Sequence, residues 1–153
     1  MKKDLWIWDQ KTFINRVQIT DYRVQITDYR LQITMKNSVT HTKSKAFAVR
    51  IIRFYKYLTE EKKEYVLAKQ ILRSGTSIGA NVRESYSAQS TADFINKLQI
   101  ALKEADETAY WLEILTESEI ITQDIFDSLS EDLKEISSLL ASSIKTLKQK
   151  NQK

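Results

Sequence analysis

The sequence predicts an all-α protein: an antiparallel up-down-up-down four-helix bundle with an extra N-terminal arm. Three observations carry this expectation. The chain of 153 residues contains no proline, and only two glycines interrupt it. From residue 44 onward, apolar residues recur every three or four positions in four stretches separated by short polar breaks, the pattern of helices that bury one face. Before residue 44 no such pattern exists. Short breaks between helices make each an antiparallel neighbour of the last.

The first stretch runs from about Ser44 to Leu58, with Phe47, Ile51, Phe54 and Leu58 on one face. The polar run 59–63 breaks it. The second runs from about Glu64 to Ala88. Leu67, Ile71, Ile78, Val82 and Ser85 form its stripe, and Ser74 and Gly75 fill the gap. The third spans about Thr91 to Glu117, and Ser90 with Asp93 resembles a capping box. Its stripe of Phe94, Leu98, Ala101, Ala105, Thr108, Leu112 and Leu115 alternates steps of four and three. The fourth starts near Thr122, an N-cap followed by Asp124. Its stripe is Ile125, Leu129, Leu133, Ile136, Leu140, Ile144 and Leu147, and Lys145, Lys148 and Lys150 suit its dipole.

The bundle is assigned to residues 43–153 and the arm to residues 1–42, which are expected to be poorly ordered and to stay outside the core. Residues 16–34 repeat Arg-Val-Gln-Ile-Thr-Asp-Tyr, repeat it again, and end on Arg-Leu-Gln-Ile-Thr. A seven-residue period suggests a coiled coil, but Val17, Ile19 and Tyr22 make no a/d pair. The residue types favour strand, yet an odd period swaps faces with each copy. Letter-for-letter repetition points to a duplicated short tract. On this reading residues 1–34 are an extension, upstream sequence read as protein, and Met35 is a native start.

Composition excludes several functions. The chain has no cysteine, so disulfides, thiolate metal sites and a cysteine nucleophile are ruled out. A reducing cytoplasm fits this. No apolar run is long enough to span a bilayer. The net charge is +4, but its distribution matters more. Residues 1–46 carry nine Lys or Arg against four Asp or Glu, and residues 47–153 carry fifteen against sixteen. The basic character sits at the front, and the bundle is no generally basic nucleic-acid binder. The single histidine, His41, precedes the bundle on this reading. Glu-x-x-His metal pairs are therefore missing from its helices. No serine has a histidine base placed by motif, and neither glycine belongs to a phosphate loop. The expectation is a non-enzyme with no cofactor and no metal.

Two surfaces remain as candidates. On the first helix Lys43, Arg50, Arg53, Lys56 and Tyr57 lie away from Phe47 and Ile51. Lysine and arginine neutralise phosphates and tyrosine stacks on bases, so these five are the candidate nucleic-acid contacts. An ordinary solvated face is the plainer alternative. On the third helix a second heptad row, Ile100, Glu104, Glu107, Trp111 and Ile114, is expected to make subunit contacts. Arg73, Asn81, Arg83 and Glu84 of the second helix are expected to join Glu104, Glu107 and Trp111 in a polar network there. Gly75 and Gly79, four apart, suggest a close approach to a neighbour, with Ala101 and Ala105 of the third helix the expected partners.

The run Arg73-Ser-Gly-Thr-Ser-Ile-Gly-Ala-Asn81-Val-Arg-Glu84 carries a family signature, as does Asp93-Phe94…Leu98-Gln-Ile-Ala101…Glu107-Thr. Through these residues positions 44–150 resemble the four-helix bundle proteins encoded by intervening sequences of bacterial 23S ribosomal RNA genes. Many relatives have proline where this chain has Gly79. Similar bundles serve diversity-generating retroelements as pentameric rings that engage a reverse transcriptase and nucleic acid. The resemblance implies a cytoplasmic homo-oligomer, a pentamer in that subgroup. The implied partners are RNA or DNA and a reverse transcriptase or other protein. A purely structural scaffold that binds no nucleic acid is the alternative.

Overall fold

A computed structural model describes residues 38–151 of the chain. Among them are four helices and no strand: α1 (Val39–Glu60), α2 (Val66–Ser85), α3 (Thr91–Glu117) and α4 (Gln123–Asn151). Each connection is only five residues long. Five extended residues reach about 18 Å at most, too little to return along a helix of twenty residues or more, so consecutive helices must double back. The contacts agree. Ser74 of α2 meets Thr108 of α3 while Glu84 meets Lys97. On the last seam Lys43 of α1 meets Glu135 of α4 while Arg50 meets Ser128. Each helix packs on the next, and α4 closes the ring against α1.

Local chemistry sets the helix ends. Ser38 caps α1 by accepting the His41 N–H at 3.2 Å, so the helix begins five residues before Ser44. It thereby takes in positions 39–42, which the sequence reading gave to the arm. The arm as far as residue 37, with its repeat and Met35, lies outside the described residues. At α2 the capping carboxylate is that of Glu64, which accepts the N–H groups of Val66 and Leu67, both at 2.8 Å. Ser90 caps α3 through the Asp93 N–H at 3.1 Å, while Asp93 itself reaches back to the Gln89 N–H at 3.3 Å.

The core takes nearly the residues that periodicity selected. Phe47, Ile51, Phe54 and Leu58 of α1 are buried, with Ile71, Ile78 and Val82 of α2. So are Leu98, Leu112 and Leu115 of α3 and Leu129, Leu133, Ile136 and Leu140 of α4. Two stripe positions shift by one residue: Ala68 rather than Leu67, and Ile95 rather than Phe94, point inward. Both displaced residues pack on the flank of the core. At a helix end the tilt against a neighbour rotates the buried face by part of a turn, and a smaller residue then lies nearest the axis.

The two glycines serve packing rather than turns, and their neighbour is α1, not α3. A β-carbon on Gly75 would lie 2.8 Å from Ile51 Cγ1, and one on Gly79 would lie 3.1 Å from the Ser44 carbonyl oxygen. The α2–α3 seam is closed instead by Ser74 and Thr108, whose hydroxyl oxygens stand 3.0 Å apart in the buried core. The Thr108 hydroxyl oxygen also lies 2.7 Å from the Glu104 carbonyl oxygen. The Thr108 hydroxyl is thus placed to donate either across the seam to Ser74 Oγ or along its own helix to the Glu104 carbonyl. Among the described residues the left-handed backbone positions are Lys63 (φ 55°) and Glu119 (φ 58°), one in each of two connections.

Candidate nucleic-acid interface

Of the residues expected on α1, Lys43, Arg50, Arg53 and Tyr57 line the seam with α4, whereas Lys56 lies outside it on the exposed side of the helix. Lys43 Nζ lies 2.7 Å from Glu135 Oε2. Arg50 donates to the Ser128 carbonyl at 2.9 Å, to the Ser128 hydroxyl and to the Asp132 carboxylate. The α4 partners at 128, 132 and 135 step by four and three, so one face of α4 carries them all. Half-exposed pairs of this kind add little stability, but they engage two of the four candidate cations. Beyond Arg50 the seam opens into a shallow groove floored by Phe54, Ile125 and Leu129, with Arg53, Tyr57 and Asp124 at its rim. Tyr57 stacks on Phe54, with ring centres 6.2 Å apart, and carries Lys62 Nζ 5.7 Å from its centroid. Arg53 and Lys56 are exposed and make no ion pair among the described residues.

The expected polar network does not form as one unit within the chain. Asn81 bonds to the Ser77 carbonyl of its own helix at 2.9 Å. Glu84 takes Lys97, at 2.6 Å, and this carboxylate holds the Lys97 ammonium above the usual lysine range. Glu107 accepts the Trp111 indole N–H at 3.2 Å within α3. Arg73 and Arg83 are exposed, and neither reaches Glu104 or Glu107 in an ion pair among the described residues. Asn81 and the Glu107–Trp111 pair are satisfied along their own helices, whereas Glu84 is satisfied across the α2–α3 seam by Lys97. The whole second row of α3, from Ile100 to Ile114, is half-buried, and Trp111 packs against the core. Beside it Tyr110 is exposed and meets the Trp111 ring edge-on at 5.0 Å. On α1 the exposed large apolar residues are Val39, at its first position, and Val49 and Ile52 further along.

One cluster escaped the sequence reading. The His41 ring tilts against Tyr86 with centres 5.5 Å apart, and the Tyr86 hydroxyl lies 3.0 Å from Ser38 Oγ. This ties the start of α1 to the end of α2. Burial pushes the Tyr86 phenol above its usual range, against the opposing pull of Ser38 and Arg83. The only signal in the sequence was an aromatic pair 45 residues apart, which no periodicity connects. Among the described residues no group of three His, Asp or Glu side chains is placed to hold a metal ion. None of the described helices is long and apolar enough to cross a membrane.

Four helices, each packed on the next and the last against the first, define an all-α four-helix bundle. Its family follows from sequence. The model of the 23S rRNA-intervening sequence protein family matches residues 36–142, and the chain belongs to that family. It is similar to a crystallised protein of unknown function from the S23 ribosomal protein family of Bacteroides thetaiotaomicron VPI-5482. The two are 60% identical, with a TM-score of 0.70, over 72% of this chain and 98% of that one. No curated protein matches the chain.

Proposed function

We propose that the protein is a non-enzymatic, homo-oligomeric accessory bundle of the cytoplasm that binds RNA or DNA, in company with a partner such as a reverse transcriptase. The observation that carries the nucleic-acid reading is the pair of unengaged cations on α1. Arg53 and Lys56 stand exposed next to Tyr57 in the helix, and Arg53 and Tyr57 edge a groove whose floor is apolar. Such a patch attracts phosphates without reading sequence, and several copies in one assembly multiply a weak contact. Its non-enzymatic character rests on the chemistry of the bundle. The chain's one histidine is packed on Tyr86, and among the described residues no hydrogen bond joins its ring to a serine or threonine hydroxyl, its bonds to Ser38 and Ser44 being made by its backbone. The competing reading, a scaffold with no nucleic-acid role, draws on Lys43 and Arg50, whose charges α4 already takes up.

A gel shift with labelled single-stranded RNA at low and moderate salt separates the two. Wild type is expected to bind at low salt and to weaken steeply as salt rises, and Arg53→Glu with Lys56→Glu is expected to bind less tightly. Wild type that binds neither RNA nor DNA at low salt decides for the scaffold.

A further inference from the structure

The bundle is neutral as a whole but polarised along its axis. Residues 38–48, 77–103 and 139–150 occupy the end where α1 begins and α4 finishes; they carry eight Lys or Arg against two Asp or Glu. Residues 49–76 and 104–138, towards the other end, carry eight against fourteen. Opposite poles of this size create a field that draws a polyanion to one end before any contact forms.

At the basic pole the α3–α4 seam has a concave surface. Leu102 and Ile144 lie within it, and Lys103, Lys145 and Lys148 stand around it with Gln99. All three lysines are exposed, and none makes an ion pair among the described residues. Asp106 is the acidic residue at the rim, which leaves the groove with a surplus of positive charge. The helix dipole accounts for Lys145 and Lys148, which lie in the last turns of α4. It does not account for Lys103, in the middle of α3, which reaches the same groove from more than forty residues away in the chain. The contrast with α1 is direct: Lys43 and Arg50 of that seam face Glu135 and Asp132, whereas the polar residues that α4 gives this groove are lysine and glutamine.

We infer that this α3–α4 groove, through Lys103, Lys145 and Lys148, is a binding site for the phosphodiester backbone of a nucleic acid, separate from the α1 surface. The inference rests on the proposed nucleic-acid role and places the main phosphate contacts on different helices. The glutamines supply further hydrogen bonds to phosphate or sugar oxygens, so binding here follows backbone charge rather than base sequence.

The test compares the full chain with a triple variant, Lys103→Gln, Lys145→Gln and Lys148→Gln, and with Arg53→Gln plus Lys56→Gln. Fluorescence anisotropy with a labelled single-stranded RNA is read between about 50 and about 200 mM salt. Glutamine keeps the helix and the length of each side chain, and circular dichroism confirms that each variant is folded. The triple variant is expected to lose about tenfold or more in affinity at the lower salt. Its log–log salt slope is expected to become shallower by about 2–3, near one per lost phosphate contact. If the triple variant binds like wild type while the α1 variant loses affinity, the groove is overturned and the nucleic-acid role stands. If wild type binds no RNA or DNA, both fall together.

Discussion

Tyr86 shows how a single side chain can be tied to pH. Its hydroxyl bonds to Ser38, and its ring supports His41 at the junction of α1 and α2. Burial disfavours the phenolate, so the folded-state value is raised. The unfolded chain therefore loses this proton first, near the ordinary tyrosine value of about 10. Between there and the folded value the native state holds the extra proton, and stability falls as pH rises. Melting temperatures of wild type and Tyr86→Phe, followed from pH 8 to 11 (about the window of interest), check this. Wild type is expected to be the more stable near pH 8, with the gap narrowing beyond about pH 10. A constant gap would show that Tyr86 does not titrate differently in the two states. At the same scale, Ser74 and Thr108 show how a polar pair enters an apolar core. Each hydroxyl has a hydrogen-bond partner, so neither is left unsatisfied.

Among elements, the approach of α2 to α1 is the most tightly specified contact. The chain has two glycines, and both are spent here, while Lys63 and Glu119 adopt the left-handed backbone without one. A residue with a β-carbon in that conformation costs about 1–2 kcal/mol, a cost the turns bear. At Gly79 the obstacle is backbone: the Ser44 carbonyl cannot swing aside as a side chain would. Alanine in place of glycine inside a helix normally gains about 1 kcal/mol. Gly79→Ala is expected to forfeit most of that gain, and Gly75→Ala, pressed against buried Ile51, to be destabilising outright. Gly79→Leu is expected to cost about 1–3 kcal/mol by overpacking. Urea denaturation midpoints report all three, and an unchanged midpoint for Gly79→Leu would remove the close contact from the account.

At the scale of the whole molecule the question is what the exposed apolar residues do. Val49 and Ile52 lie nearly one turn apart on the outside of α1, 44% and 45% exposed, and Ala46 is exposed a turn earlier. Single exposed apolar residues are ordinary, but a row of them on one helix presents a surface for a second copy of the chain. The proposed assembly gives a clear expectation. Light scattering at micromolar concentration should report a multiple of the 17.9 kDa chain. Val49→Glu with Ile52→Glu should reduce it to the single-chain mass without loss of helix, because neither side chain belongs to the core. A single-chain mass for wild type would end the oligomer reading.

The sequence by itself determined how many helices the bundle has and, within a residue or so, which side of each faces inward. A period of 3.6 is a property of one helix and needs no neighbour to be seen. The spacing of Phe47, Ile51, Phe54 and Leu58, or of Leu129, Leu133, Ile136 and Leu140, therefore named core residues directly. It also placed Lys43, Arg50, Arg53, Lys56 and Tyr57 outside the core. What it could not supply was the identity of the neighbour across each seam. Gly75 and Gly79 were legible as a close contact, yet only packing decided that α1 fills it. Lys43 and Arg50 were legible as a basic row, yet only packing set Glu135 and Asp132 against them. Lys103 and Lys148 became one groove for the same reason. Periodicity records the angle around a helix axis, whereas the pairing of faces depends on how four axes cross, and contacts between distant residues exist only once they do.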